Sequence, residues 1–209
     1  MEKLFYDLLD KYGYQNWWPL TGKFDPFEEV CIGAVLTQNT SWKNVEKAIE
    51  SLIKANLTSF ERILQTDDKT LANAIRPSGF YNQKAKTLKR LAKFLLSVEK
   101  ENIKREDLLS IKGIGKETAD TILLYGLNKM IFVVDAYTKR LLHRLGFIDS
   151  PKIEYDTLRI LIESAVPRDI NVYKEFHALI VKHCKEVCKK NPDCKKCFLS
   201  NRCYNYTYG

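Results

Sequence analysis

The segment IKGIGKETAD, residues 111–120, sets two glycines one residue apart between two runs of helical periodicity. Upstream, REDLLSI (105–111) is a short helical stretch; downstream, ETADTILLYG (117–126) is a longer one that stops at Gly126. Gly113 and Gly115 allow a tight turn and leave the backbone N–H groups at the start of the second helix unshielded by side chains. Such a turn can bind phosphate, and an ordinary αα-hairpin would leave the same trace. A Walker A loop is excluded, because G-x-x-x-x-G-K-[ST] is not satisfied and no strand precedes the glycines.

Outward from the hairpin the helical pattern continues. Val45, Ala48, Ile49, Leu52 and Ile53 lay one apolar stripe along SWKNVEKAIESLIKAN, and Ala85, Leu88, Leu91, Ala92 and Leu95 lay another along NQKAKTLKRLAKFLL. Helix starts are signalled by Asp25-Pro26, by Thr58 with Glu61 as a capping box, and by Ser150-Pro151. Helix stops are signalled by Gly126 and Gly146. Only MIFVV at 130–134 is strand-like. With no regular strand spacing and no internal repeat, the pattern predicts an all-α protein of about ten helices, and with no low-complexity linker any domain boundary lies in a short turn.

The chain has 209 residues, 45% of them apolar, enough for a sizeable core in one domain or two small ones. Its 34 Lys+Arg against 26 Asp+Glu leave a charge of +8, which favours a polyanionic partner such as nucleic acid, although solvated lysine faces give the same count. The N-terminus lacks the basic and apolar regions of a secretory signal, and no apolar run approaches the roughly 18 residues of a membrane span. The expectation is a cytoplasmic protein with no membrane partner, whose six cysteines are thiols or metal ligands. Four of them form Cys188-x5-Cys194-x2-Cys197-x5-Cys203, a spacing that suits a structural zinc or an iron–sulfur cluster equally. Lys189, Lys190, Lys195 and Lys196 interleave with these thiols, where they could meet DNA phosphates or offset thiolate charge. Cys31 reads as a core residue. His143, His177 and His183 form no metal spacing and carry no assigned chemistry.

IKGIGKETAD, followed about twenty residues later by VVDAYTKRLL, resembles the helix–hairpin–helix DNA glycosylases of the endonuclease III superfamily, from about Asp25 to the C-terminus. The resemblance implies two helical domains flanking a DNA- and base-binding cleft. One spans 23–129, with six helices and the hairpin at about 107–125; the other combines 1–22 with 130–209 and carries the catalytic aspartate and a cysteine loop at 188–203. Asp135 falls at the position of the family's catalytic aspartate, which steadies the oxocarbenium-like sugar and orients or deprotonates water. On its own, Asp135 before AYTKRLL reads rather as a helix N-cap, and the two roles can coexist. Gly113 and Gly115 fall at the hairpin glycines, with Lys116 beside them, and the resemblance also suggests a monovalent cation on hairpin carbonyls. Strand-cutting members carry a Schiff-base lysine where this chain has Glu117, which implies a monofunctional glycosylase with water as nucleophile.

Iron–sulfur members end in C-x6-C-x2-C-x5-C. The resemblance thus implies a [4Fe–4S] cluster on Cys188, Cys194, Cys197 and Cys203, with a first gap one residue short and Cys184 as the alternative first ligand. LTQNT (36–40) is similar to the segment whose glutamine enters the duplex, pointing to Gln38. RPSGFYNQKAK (76–86) is similar to the loop that carries the intercalating wedge, pointing to Phe80 with Tyr81 and Asn82. Together with WWP (17–19) these segments look most like the 3-methyladenine DNA glycosylases, which remove cationic alkylated purines. An electron-rich aromatic slot suits a flat cation, and Trp17, Trp18 and Trp42 are its candidate walls, though each could equally be a core anchor. The expected partner is double-stranded DNA with a damaged base, bound by a monomer, with Lys189 and Lys190 among the contacts. The alternatives are a mismatch thymine or adenine glycosylase, an oxidised-pyrimidine enzyme, and a non-catalytic iron–sulfur DNA-binding protein.

Overall fold

The computed structural model describes residues 1–208, and among them every regular element is helical. Two compact units divide the chain, one of residues 1–17 with 129–209 and one of residues 18–128. The first crossing therefore falls between Trp17 and Trp18, where the sequence reading put it at 22/23.

The first unit opens with α1 (Glu2–Tyr12). The second holds α2 (Pro26–Leu36), α3 (Trp42–Lys54), α4 (Phe60–Gln65), α5 (Asp68–Ala74), α6 (Tyr81–Leu95), α7 (Arg105–Ser110) and α8 (Lys116–Thr121). The chain then returns to the first unit as α9 (Ala136–Arg144), α10 (Tyr155–Ala165), α11 (Ile170–Glu186) and α12 (Tyr204–Tyr208). The described residues thus hold twelve α-helices where periodicity predicts about ten, the excess being short pieces of one or two turns.

In the second unit, α2 is apolar nearly all round and is buried from Phe27 to Leu36 apart from Glu28, as expected of a central helix. The Asp25 carboxylate accepts from the N–H groups of Phe27 and Glu28, and Pro26 takes the first helical position. Helix α3 buries Val45, Ala48, Ile49 and Leu52, and α6 buries its whole predicted stripe, against which α4 and α5 pack. Helix α8 continues into a π-helical turn, Ile122–Gly126, marked by the Leu127 N–H donating to Ile122 O at 3.1 Å.

In the first unit, α1 and α9 both pack on α11. Glu175 of α11 is buried and accepts from the N–H groups of Gln15 and Asn16 at 2.7 and 2.8 Å, fixing the segment that leads to Trp17.

Three local expectations are corrected. The N-cap of α4 is Ser59, whose hydroxyl accepts from Arg62 N, and not Thr58; the Glu28 carboxylate takes the Phe60 N–H at 2.8 Å. Helix α10 starts after Glu154, which accepts from Thr157 N at 2.9 Å, and not after Ser150, which spends its hydroxyl on the nearby Lys152 N–H. Residues 130–134 form no strand. No partner strand meets them among the described residues: Ile131 N–H turns back to Lys129 O at 2.9 Å, while Phe132 donates to Glu163 Oε1 at 2.8 Å and Val134 to the Tyr155 hydroxyl at 3.3 Å.

Candidate functional site

The irregular 130–134 segment delivers Asp135 to the start of α9. Arg159 of α10 holds Glu163 at 2.8 Å, and Glu163 in turn holds Phe132, so the approach to Asp135 is braced from α10. The two readings of Asp135 separate by atom. Oδ1 is the N-cap, accepting from Thr138 N at 2.7 Å and Thr138 Oγ1 at 2.8 Å. Oδ2 lies 3.5 Å from Nε2 of His177 on α11. Burial alone would raise this carboxyl's pKa; His177 and the Thr138 donors outweigh it and hold the pKa below the ordinary aspartate value. His177 is itself buried and meets the edge of Trp17 at 5.8 Å. Sequence reasoning gave His177 no role, because it searched the histidines for metal spacing only.

In the second unit, the segments singled out in sequence as DNA-reading meet one another. Gln38 donates from Nε2 to Gly113 O at 3.0 Å and to Thr118 Oγ1 at 2.9 Å, so it rests on the hairpin. Gly113 has φ +102°, and a Cβ there would lie 2.2 Å from Thr87 Oγ1, so this glycine is demanded by both backbone and packing. Gly115 is different: its backbone is extended and a Cβ would meet nothing within 4 Å, which leaves open space before the first amides of α8. Two hairpin carbonyls are engaged within the unit: Lys112 O accepts from Arg90 Nη1 at 3.3 Å and Gly113 O from Gln38. Lys116 and Glu117 occupy the first turn of α8, Glu117 exposed. Beneath the turn, Arg105 of α7 forks onto the fully buried Asp120 of α8 at 2.6 and 3.0 Å.

Phe80 is 63% exposed and takes a left-handed backbone, φ +46°, where a bulky residue is rare. An aromatic held outward by strained backbone suits a wedge. Tyr81 is half-buried beneath Arg76, and Asn82 is exposed. Lys84, one turn into α6, is buried, and its ammonium donates to Leu36 O at 2.9 Å and Ser78 O at 2.7 Å. It thereby ties the Gln38 segment to the Phe80 loop, and burial pulls its pKa down to about 8. Sequence reading passed over it because a lone lysine in a basic helix looks like surface.

Trp18 meets Trp42 edge to face at 5.2 Å, with planes at 85°, and meets Tyr125 at 5.5 Å. The π-helical turn supplies Tyr125, and Gly33 admits the Trp18 ring, since a Cβ there would come within 3.0 Å of it. Trp18, Trp42 and Tyr125 thus make an aromatic corner in the second unit, while Trp17 lies in the first unit against His177.

Cys188, Cys194, Cys197 and Cys203 line one pocket, together with Arg144 and His183. Cys184 does not line it; that thiol is buried and donates to Tyr137 O at 3.6 Å. Among the described residues no three His, Cys, Asp or Glu side chains converge as they would on a single metal ion. A four-iron cluster takes one thiolate per iron, so its ligands ring a cavity and do not meet at a point. The neighbouring Cys184 thiol and the guanidinium of Arg144, 3.3 Å away, draw the Cys188 thiol below its ordinary value. His183 places Nε2 3.7 Å from Cys197 Sγ and Nδ1 2.9 Å from the Tyr12 hydroxyl. Arg144 also donates to Lys189 O and Lys190 O, which pins the backbone of this basic stretch to α9 and leaves both lysines exposed.

Comparison with known proteins adds to this geometry. A model of the HhH-GPD superfamily of base excision DNA repair proteins matches residues 32–167, a stretch that includes the hairpin and Asp135. A protein of Methanocaldococcus jannaschii provisionally named a DNA repair glycosylase is 48% identical, covering 96% of this chain and 94% of its own. The structure of a Helicobacter pylori 3-methyladenine DNA glycosylase bound to 1,N6-ethenoadenine superposes with a TM-score of 0.75 at 34% identity, covering 88% of this chain and 95% of that one. An endonuclease III in a non-covalent DNA complex superposes with a TM-score of 0.84 over 98% of this chain and 94% of that one; at 19% identity this is a likeness of fold.

Proposed function

The chain belongs to the HhH-GPD superfamily and is a base excision repair DNA glycosylase, and we propose that it is monofunctional, binds duplex DNA, flips out an alkylated purine of the 3-methyladenine kind and hydrolyses its glycosidic bond. The observation that carries the substrate class is the corner of Trp18, Trp42 and Tyr125, whose ring faces suit a flat cationic base. The 34% identity to an enzyme named for 3-methyladenine agrees with it.

In this reaction the C1′–N bond breaks with its electron pair going to the base, so a cationic base departs neutral and needs little acid catalysis. Positive charge grows on the sugar, and a carboxylate already ionised in a largely buried site stabilises it most. Asp135 supplies that carboxylate through Oδ2, while Oδ1 stays engaged with Thr138. Water then adds to C1′ and gives up its proton, with Asp135 the acceptor within this chain. Flipping requires a plug for the vacated stack, the role given to Phe80, with Gln38 beside it. Glu117, at the position of the family's lyase lysine, cannot form an imine with C1′. Cys188, Cys194, Cys197 and Cys203 fit a [4Fe–4S] cluster, which would hold the 188–203 loop rigid and its lysines ready for phosphate.

The test is incubation of the protein with methylated duplex DNA and chromatography of released bases, with Asp135→Asn alongside. Release of 3-methyladenine by the wild type alone is expected. Release of thymine from a G·T mismatch with none from methylated DNA would move the assignment to a mismatch glycosylase, and a borohydride-trapped adduct would remove the monofunctional reading.

A further inference from the structure

We propose that His177 is a positioning residue for this reaction: it holds Oδ2 of Asp135 in place as a free, ionised carboxylate oxygen, and Trp17 and Phe132 hold His177. The inference rests on the assignment of catalysis to Asp135 made above.

The geometry is asymmetric. Thr138 donates twice to Oδ1 and thereby sets the torsion of the carboxyl group, which leaves Oδ2 pointing to α11. There it finds Nε2 of His177 at 3.5 Å, ion-pair distance and slightly long for a direct hydrogen bond. Two aromatic rings pack on the imidazole in edge geometry, Trp17 at 5.8 Å and Phe132 at 6.4 Å with planes at 89°. Both supports are anchored in turn: Glu175, two residues before His177 on α11, fixes the backbone at Gln15 and Asn16, and Glu163 fixes Phe132. One helix therefore carries the clamp for the Trp17 segment and the partner of the reacting carboxylate.

The chemistry needs such a partner. A carboxylate largely removed from water tends to take up a proton, and a protonated Asp135 could neither stabilise an oxocarbenium ion nor accept a proton from water. From α11 the titratable groups bearing on Asp135 are His177 and the Cys184 thiol, and Cys184 bears as a potential negative charge. Its own helix carries Tyr137, Lys139 and Arg140. Of these, Lys139 is occupied with Ile153 O at 2.8 Å and Arg140 with Cys188 O at 3.0 Å, which leaves His177 as the group placed to favour the charged form at Oδ2.

The test uses wild type, His177→Phe and His177→Gln, all as the full chain with its native metal content. The Asp135 carboxyl carbon is titrated by carbon-13 NMR, its signal assigned by loss in Asp135→Asn, and single-turnover base release is followed against pH. In His177→Phe the Asp135 midpoint and the acid limb of the rate are expected to rise together by about one pH unit or more. His177→Gln, whose amide nitrogen can stand near the Nε2 position, should recover much of the wild-type midpoint. An Asp135 midpoint in His177→Phe equal to wild type overturns the proposal, even if that variant melts at lower temperature. If methylated DNA yields no base while the NMR midpoint still moves, the alkylpurine assignment falls and the role of His177 stands.

Discussion

Lys84→Met tests whether one buried ammonium ties the Gln38 segment to the Phe80 loop. In the wild type the side chain is 3% exposed and donates to Leu36 O and Ser78 O, two residues before Gln38 and Phe80 respectively. Hydrogen bonds from a charged donor are worth about 1.5–3 kcal/mol each, and the variant loses both. Against that, the variant no longer buries a charge, a relief of about 3 kcal/mol for a pKa drawn from 10.5 to about 8. The net loss near neutrality is therefore small, about 0–3 kcal/mol, so a single unfolding curve decides little. The pH dependence decides more. Because the folded-state pKa lies below the unfolded one, the unfolded chain holds the extra proton between them, and wild-type stability from this group rises as pH climbs through about 8. From pH 7 to about 9.5 that gain is about 2 kcal/mol. Lys84→Met cannot show it, so the stability gap between the two proteins should widen by that amount in urea unfolding followed at both pH values. The neutral amine keeps two N–H donors for the two carbonyls, so deprotonation does not break the tie. A gap that stays constant from neutrality to about pH 9.5 would refute the reasoning, since it would mean that the ammonium is solvated in the folded protein.

The hairpin glycines should behave oppositely. Gly113→Ala must relieve a clash with Thr87 and a positive φ, and should cost about 1–3 kcal/mol in urea unfolding. Gly115→Ala should stay within about 1 kcal/mol, yet bind duplex DNA more weakly in a fluorescence titration, because its methyl enters the open space over the α8 amides. Asp120→Ala leaves the Arg105 guanidinium without its carboxylate and should lower stability by about 3–5 kcal/mol in the same unfolding assay. For the cysteine loop, Cys188→Ser should lower iron content and visible absorbance in anaerobically purified protein while Cys184→Ser leaves both unchanged; stoichiometric zinc in the wild type would remove the iron–sulfur reading.

What could be read from the chain without coordinates follows the physics of each signal. The stripes of α3 and α6 were legible because an amphipathic helix writes its buried face at a fixed period. The caps were legible where one residue stands out, as Asp25 does, and misread where a nearby residue caps instead: Ser59, beside the tertiary bond from Phe60 N to Glu28, and Glu154, which takes the local Thr157 N–H. MIFVV misled because β-branched residues report burial on a pleated surface, and burial is what these residues have without the pleat; side chains of α10 satisfy their backbone instead.

The candidate site divides along the same line. Gln38, Phe80, Gly113 and Asp135 announce themselves by the family resemblance of the segments around them, and Phe80 and Gly113 also by unusual backbone angles. Lys84, Asp120 and His177 do not, because each acts through a partner far along the chain: Lys84 lies 48 residues from Leu36, Asp120 lies 15 from Arg105, and His177 meets Asp135 only because α11 packs on α9. Asp135 shows both kinds of information on one side chain. Its Oδ1 is a cap, predictable from the residues that follow it, and its Oδ2 is set by a histidine that no local pattern could nominate. The cap and the proposed chemistry are therefore not rival explanations of one aspartate: capping fixes the torsion that leaves the second oxygen for the role proposed above.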